Sequence, residues 1–271
     1  MAKFAFELED VHFSYLKKFP ALCGVNFGVP LNQKIAVIGA NGSGKSTLLH
    51  LLDGLLFPDK GKVKFLDNEF SEKSFETEKF SRDFRCKVGL VFQNPDVQLF
   101  CPTVEEDIVF GPLQLGIDKK EIRRRLERVV VDFGLTQLLT RPPHQLSVGE
   151  KRKVAIASVL VIDPEILLLD EPTAGLDPST TRQIIDIIIE ANAAGKTIIT
   201  STHDLHIIEE IADNVYVFSH EKKIIRSGPP EELLRDQEFL ERNNLVHIHR
   251  HKHKDKVHVH PHYHLGDHHE E

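Results

Sequence analysis

Ile35-Ala36-Val37-Ile38-Gly39-Ala40-Asn41-Gly42-Ser43-Gly44-Lys45-Ser46-Thr47-Leu48-Leu49-His50-Leu51-Leu52 is the stretch on which the fold turns. Its leading apolar residues read as a buried strand, its centre fits G-x-x-x-x-G-K-[ST], and its end reads as a helix. A strand that runs through glycines straight into a helix leaves several backbone N–H groups aimed at one spot, at the positive end of the helix. A phosphate chain fits there. Lys45 is expected to reach the terminal phosphates and Ser46 to offer its hydroxyl to Mg²⁺, with the whole run Gly39 to Thr47 forming the cradle.

A second stretch answers the first. Ile166-Leu167-Leu168-Leu169-Asp170-Glu171 reads as a buried strand ending in two carboxylates, and the carboxyl ends of such strands are where open α/β sheets bind ligands. Asp170 is expected to hold Mg²⁺ and Glu171 to polarise an attacking water as general base. Further β runs are Phe4 to Leu8, Val25 to Val29, Thr197 to Thr200 and Val215 to Phe218, with helical stretches such as Thr181 to Ala193 between the later ones. This alternation implies an α/β fold with a mostly parallel sheet core. The charged segment Asp67 to Arg85 reads as a surface insertion. From Asp118 the pattern turns helical: Asp118 and Glu121 suggest a capping box, Ile122, Leu126, Val129, Val130 and Phe133 recur at helical spacing, and Gly134 stops the run.

Composition narrows the class. With 271 residues, 41% hydrophobic and 28% charged, the chain has the make-up of a globular protein. Val154 to Ile162, its longest apolar stretch, is far short of the roughly 18 residues needed to span a bilayer. The N-terminus does not read as a signal peptide, which points to an intracellular protein. Cys23, Cys86 and Cys101 lack metal-site or disulfide spacing. A net charge of −7 argues against a nucleic-acid partner. Beyond Val246 the composition changes abruptly to a histidine-rich tail, expected to be disordered.

Between the two chemical stretches lies Leu146-Ser147-Val148-Gly149-Glu150, and after them come Gly175-Leu176-Asp177 and Thr202-His203-Asp204. Taken in order with the P-loop and Leu167-Leu168-Leu169-Asp170-Glu171-Pro172-Thr173, these motifs resemble the ATP-binding subunit of ABC transporters over roughly residues 3 to 240. The resemblance implies a P-loop NTPase (ABC ATPase) fold with N-terminal antiparallel strands and an inserted helical subdomain. Its boundaries would be an ATP-binding domain over 1–240, the helical lobe at about 94–160, and the tail over 241–271. It implies that Tyr15 stacks on adenine and that Gln93 touches the Mg²⁺ shell alongside Ser46 and Asp170. Lys45, Gln93, Glu171 and His203 would form the catalytic set. Ser147, Gly149 and Asp177 would meet ATP held by a second ATPase subunit, either the same chain or a paralogue, in a head-to-tail dimer. The family's signature usually reads L-S-G-G-Q; if position 148 required a positive φ, Val148 would be strained and Val148→Gly would raise turnover.

The run Val91 to Phe100, continued by Thr103 to Pro112, resembles the energy-coupling-factor branch of these importers, most of all the ATPases of cobalt and nickel uptake. That implies a transmembrane component, a substrate-binding membrane component, and a peripheral place on the cytoplasmic face of the membrane. Vitamin transporters of the branch share much of the run, so a vitamin cargo stays open, as does a soluble non-transport ATPase. In the tail, His247, His249, His251, His253, His258, His260, His262 and His264 alternate with other residues. Imidazoles in this spacing are candidate ligands for Ni²⁺ or Co²⁺. A solubilising tail, a cationic segment at acidic lipid and an expression tag are the alternatives.

Overall fold

The computed structural model describes residues 3–253 and 256–262, with side chains described as far as Val246. In chain order the elements are β1 (Phe4–Tyr15), β2 (Phe19–Pro30), β3 (Lys34–Gly39), α1 (Lys45–Leu52), β4 (Lys60–Phe65), β5 (Asn68–Glu69), α2 (Glu72–Phe75), α3 (Glu78–Lys87) and β6 (Val88–Val91). The helices α4 (Val104–Gln114), α5 (Lys119–Asp132) and α6 (Val148–Leu160) follow, then β7 (Ile166–Asp170), α7 (Pro178–Ala193), β8 (Thr197–Thr202), α8 (Ile208–Ile211), β9 (Asn214–Phe218) and β10 (Ile224–Gly228). The chain ends with α9 (Pro230–Leu234), α10 (Gln237–Arg242), β11 (His247–His253) and β12 (Lys256–His262).

The expected α/β architecture with antiparallel N-terminal strands and inserted helices is present. β1, β2, β4 and β5 form an antiparallel sheet in the order β2-β1-β4-β5. The larger sheet runs β10-β9-β3-β8-β7-β6 and is parallel except at the β10–β9 edge. Every residue of β7 and β8 is buried, as in strands covered on both faces. β8 lies between β3 and β7, so the carboxyl ends of all three meet along one edge of the sheet.

Three apolar clusters hold this arrangement. One joins the helical lobe and α7 to the sheet through Val91, Val154, Ile156, Leu167, Ile184 and Ile188. A second packs α1, through Leu48, Leu49, Leu51 and Leu52, between the two sheets. The third seats α8, α9 and α10 on β3 and β9, and Leu245 and Val246 pack against it.

Two local expectations are corrected. The segment 67–85 is not a surface insertion: Phe70 and Phe84 are buried and Phe75 and Phe80 pack beside them. Ring centroids of 4.9 Å for Phe65–Phe84 and Phe75–Phe84 tie the segment to β4, each such pair adding about 0.5–1.5 kcal/mol beyond burial. A high charge content hid four phenylalanines. At α5, Asp118 does cap the helix, accepting from the N–H groups of Lys120 (2.9 Å) and Glu121 (3.4 Å). The reciprocal half of the box does not form, because the Glu121 carboxylate accepts from Arg124 and Arg125 at 2.7–2.8 Å instead. Those hydrogen bonds, Arg124's foremost, bring the Glu121 carboxyl down to about 2.

In the described part of the tail, β11 and β12 pair as a separate two-stranded ribbon. A lone two-stranded ribbon is marginal in water. Among the described residues no helix is long and apolar enough to cross a membrane.

Candidate active site

At the end of β3 the backbone has room for little but glycine. A Cβ on Gly44, whose φ is 115°, would lie 2.5 Å from the Ala21 carbonyl oxygen. One on Gly39 would lie 2.7 Å from Ser43 Oγ and 2.9 Å from the Phe218 carbonyl oxygen. The loop is thus drawn tightly round the start of α1, where among the described residues no side chain caps the helix and no acid occupies the first turn. Ser43 Oγ is buried with no partner among the described residues. Uncapped N–H groups and an orphaned hydroxyl at a helix N-terminus suit an anion.

Lys45 is only 6% exposed. Its Nζ donates to the carbonyls of Gly39 (2.8 Å) and Ala40 (3.4 Å) and stands 3.6 Å from Glu171 Oε1. Tyr15, Asn41, Gly42, Gly44, Lys45, Ser46, Thr47, Gln93 and Glu171 border one cavity of about 430 Å³. The ends of β3 and β7, which flank β8 in the sheet, and the segment after β6 therefore bring the first and second chemical stretches together.

Glu171 follows the last residue of β7 and has a φ of 47°, a region that costs a non-glycine residue energy and is kept where the surroundings enforce it. Here its N–H donates to both the carbonyl and the hydroxyl of Ser201 at 3.1 Å. The Ser201 hydroxyl in turn donates to Asp170 Oδ1 at 2.5 Å. On its other side Glu171 Oε2 lies 2.8 Å from His203 Nδ1, so the Nδ1–H tautomer donates to it. Glu171 is 4% exposed and sits between a cation and an imidazole. Glu171 and His203 also border a second cavity of about 350 Å³, with Gly175, Leu176, Thr202 and Val246.

Tyr15 is 41% exposed, stands edge-on to Phe13, and its hydroxyl is 3.2 Å from Thr47 Oγ1. Its partner in the β1–β2 register is Phe19, which borders the same cavity. Phe19 escaped the sequence reading, although it is the mirror position across a short hairpin. Lys222 escaped it too: from the turn after β9 its Nζ donates to the Gly42 carbonyl on the rim of the cavity. Ser201 was hidden inside a buried strand rich in threonine, its signal being its place two residues before His203.

Gln93 is tied to the helical lobe through its neighbour. The Phe92 N–H donates to Gln98 Oε1 (3.1 Å), Gln98 donates to the Ala155 carbonyl (2.8 Å), and buried Arg152 donates to the Phe92 carbonyl (3.0 Å). A tilt of α6 would pull directly on the cavity wall. Beside it, burial draws His50 below the usual histidine range, opposed by the charge of Asp170.

The structure does not bring Ser147, Gly149 or Asp177 into either cavity. Ser147 is the exposed N-cap of α6 and makes a reciprocal capping box with Glu150: Ser147 N–H donates to Glu150 Oε2 (2.7 Å) and Glu150 N–H to Ser147 Oγ (3.3 Å). The Ser147 N–H holds the Glu150 carboxyl below its usual range. Glutamine fills the same box as well as glutamate, so this departure from the signature leaves the helix start intact. Asp177 caps α7, accepting from the Thr180 N–H (3.0 Å) and hydroxyl (2.6 Å). Thr180 also crowds Gly149, whose Cβ would meet it at 3.3 Å.

Val148 corrects an expectation. It is the first residue of α6, absent from the positive-φ positions, and 59% exposed. There is no strain for glycine to relieve, and glycine weakens a helix by roughly 0.5–1 kcal/mol. Val148→Gly should leave ATP turnover equal or lower; a several-fold increase, measured with membrane partners present, would restore the strain argument.

Among the described residues no cluster of histidine, cysteine or acid side chains forms a preassembled metal site. The tail histidines 247–253 and 258–262 are described in backbone only, and His264 lies outside the described residues.

Residues 22–174 match the family model for the ABC transporter. The chain is 49% identical over 245 residues to the nickel import ATP-binding protein NikO of Rhodobacter capsulatus, covering 89% of this chain and 96% of that protein. It is 42% identical over 241 residues to the energy-coupling factor transporter ATP-binding protein EcfA of Methanocaldococcus jannaschii, covering 88% and 84%. The solved structure of cbiO1 from Clostridium perfringens, part of the ABC transporter complex cbiONQ, aligns with a TM-score of 0.75 at 36% identity, over 90% of this chain and 95% of that one.

Proposed function

The chain belongs to the ABC transporter ATP-binding family, and on that premise, which makes it an ATPase coupled to transport, we propose that it is the energising subunit of an energy-coupling-factor importer for nickel or cobalt ions. The observation that carries the hydrolytic half is Glu171, held between Lys45 and His203 at the mouth of a phosphate-sized cradle. The cargo half is supported by the likeness to a nickel import protein and to a component of cbiONQ.

In this reading the loop N–H groups and Lys45 bind the β- and γ-phosphates of ATP, and Tyr15, paired with Phe19, offers aromatic surface to the adenine. Hydroxyl, carboxylate and amide oxygens from Ser46, Asp170 and Gln93 form the hard donor set that Mg²⁺ prefers. Mg²⁺ held there supplies charge neutralisation on the phosphates. With Oε2 held by His203, Glu171 takes the proton of the attacking water at Oε1. The imidazole, fixed through Nδ1, keeps Nε2 for the γ-phosphate.

Ser147, exposed and outside both cavities, fits a role toward ATP on a second ATPase subunit, as does Asp177. The chain would work at the cytoplasmic face of the membrane through a transmembrane component and a substrate-binding component, with the ATP-binding body over 1–240 and the tail beyond it. Vesicles reconstituted with this chain and its membrane partners should accumulate radioactive nickel or cobalt only with ATP inside the compartment the chain faces. ATP-driven uptake of a vitamin alone would move the cargo, and hydrolysis indifferent to any membrane component would remove the transport reading.

A further inference from the structure

We propose that the C-terminal ribbon binds transition-metal ions, because the β11–β12 register sets three histidine positions of one strand opposite three of the other. Antiparallel pairing matches His247 with His262, His249 with His260 and His251 with His258. Positions two apart share a face of a strand, and facing positions share a face of the ribbon. All six histidines therefore fall on one face. The other face takes Ile248 with Pro261, Arg250 with Val259 and Lys252 with Val257, and no histidine.

Register is what makes this a site rather than a composition. A slip of one residue would send the histidines of the two strands to opposite faces. In the observed register each of these histidine positions stands directly opposite another, the juxtaposition that binding of one ion by both strands requires. Imidazole nitrogen suits Ni²⁺, Co²⁺, Zn²⁺ and Cu²⁺, whereas Mg²⁺ and Ca²⁺ take oxygen. Six imidazoles on one face offer about six nitrogens, enough for one four-coordinate ion with two donors left toward a second. Ligation also answers the ribbon's weakness, since a metal that binds only the paired form adds its binding free energy to that of pairing.

The inference goes beyond the transport reading, and its test needs neither nucleotide nor membrane partner. Co²⁺ titration followed by visible absorption, and Ni²⁺ equilibrium dialysis, would compare three proteins: the full chain, a chain ending at Val246, and a full-length variant carrying His258→Val, Val259→His, His260→Pro and Pro261→His. The variant keeps the number of histidines but moves two of them to the other face. The full chain should bind about one to two ions, the truncated chain none at the same concentrations, and the variant at least about tenfold more weakly with an altered Co²⁺ spectrum. Undiminished binding by the truncated chain would place the site elsewhere. Variant affinity equal to that of the full chain would show that histidine content suffices and the ribbon register is irrelevant.

Discussion

Glu171→Gln should lower ATP turnover by about 10²- to 10⁴-fold, the contribution usual for a positioned general base, while ATP binding is kept or strengthened. Glutamine matches glutamate in size, and its amide oxygen still accepts the His203 contact made now at 2.8 Å. What it removes is the basic oxygen and a buried negative charge 3.6 Å from Lys45 Nζ. Losing that charge makes the phosphate cradle more positive, so nucleotide affinity moves in the tighter direction. Single-turnover hydrolysis together with equilibrium ATP binding separates the two effects. A Glu171→Gln protein hydrolysing at the wild-type rate would mean that the proton acceptor is another group.

Lys45→Ala should show the opposite signature, a protein that fails at binding. Hydrogen bonds to charged groups contribute about 1.5–3 kcal/mol each, which at 1.4 kcal/mol per factor of ten is a loss of about 10- to 100-fold in ATP affinity from one contact. Turnover should fall further. The same substitution leaves Glu171, 4% exposed, without the cation now nearest its Oε1. Uncompensated burial of that carboxylate adds repulsion toward phosphate, so Glu171→Gln should tighten ATP binding more in the Lys45→Ala background than in the wild type, a non-additivity expected of residues in contact. Strict additivity in fluorescent-nucleotide titration, with thermal melts showing all three proteins folded, would break the proposed coupling between the two side chains.

The P-loop, the Asp170-Glu171 pair and the parallel-sheet architecture were legible in the chain because each is a local pattern. Glycine spacing, a lysine at one offset and an unbroken apolar run all act within a few residues, and backbone sterics and burial translate them directly into a strand, a turn and a helix. The capping of α5 was half legible for the same reason. Asp118 acts on the next turn, but Glu121 had competing arginines one helical turn away.

What only the tertiary structure decided was adjacency. The chain presents β3, β7 and β8 in that order, yet the sheet places β8 between the other two. That crossover sets His203 against Glu171 and slides Ser201 beneath both carboxylates. Lys222 and the Gln98–Arg152 link to α6 reach the site across turn and lobe, over separations no window reads. The φ at Val148 belongs here too, since a motif names a residue but the start of α6 sets its backbone. Segment 67–85 reads as surface until β4 and α3 bring its phenylalanines together, because hydrophobic burial depends on which faces meet and not on the charge average of a stretch.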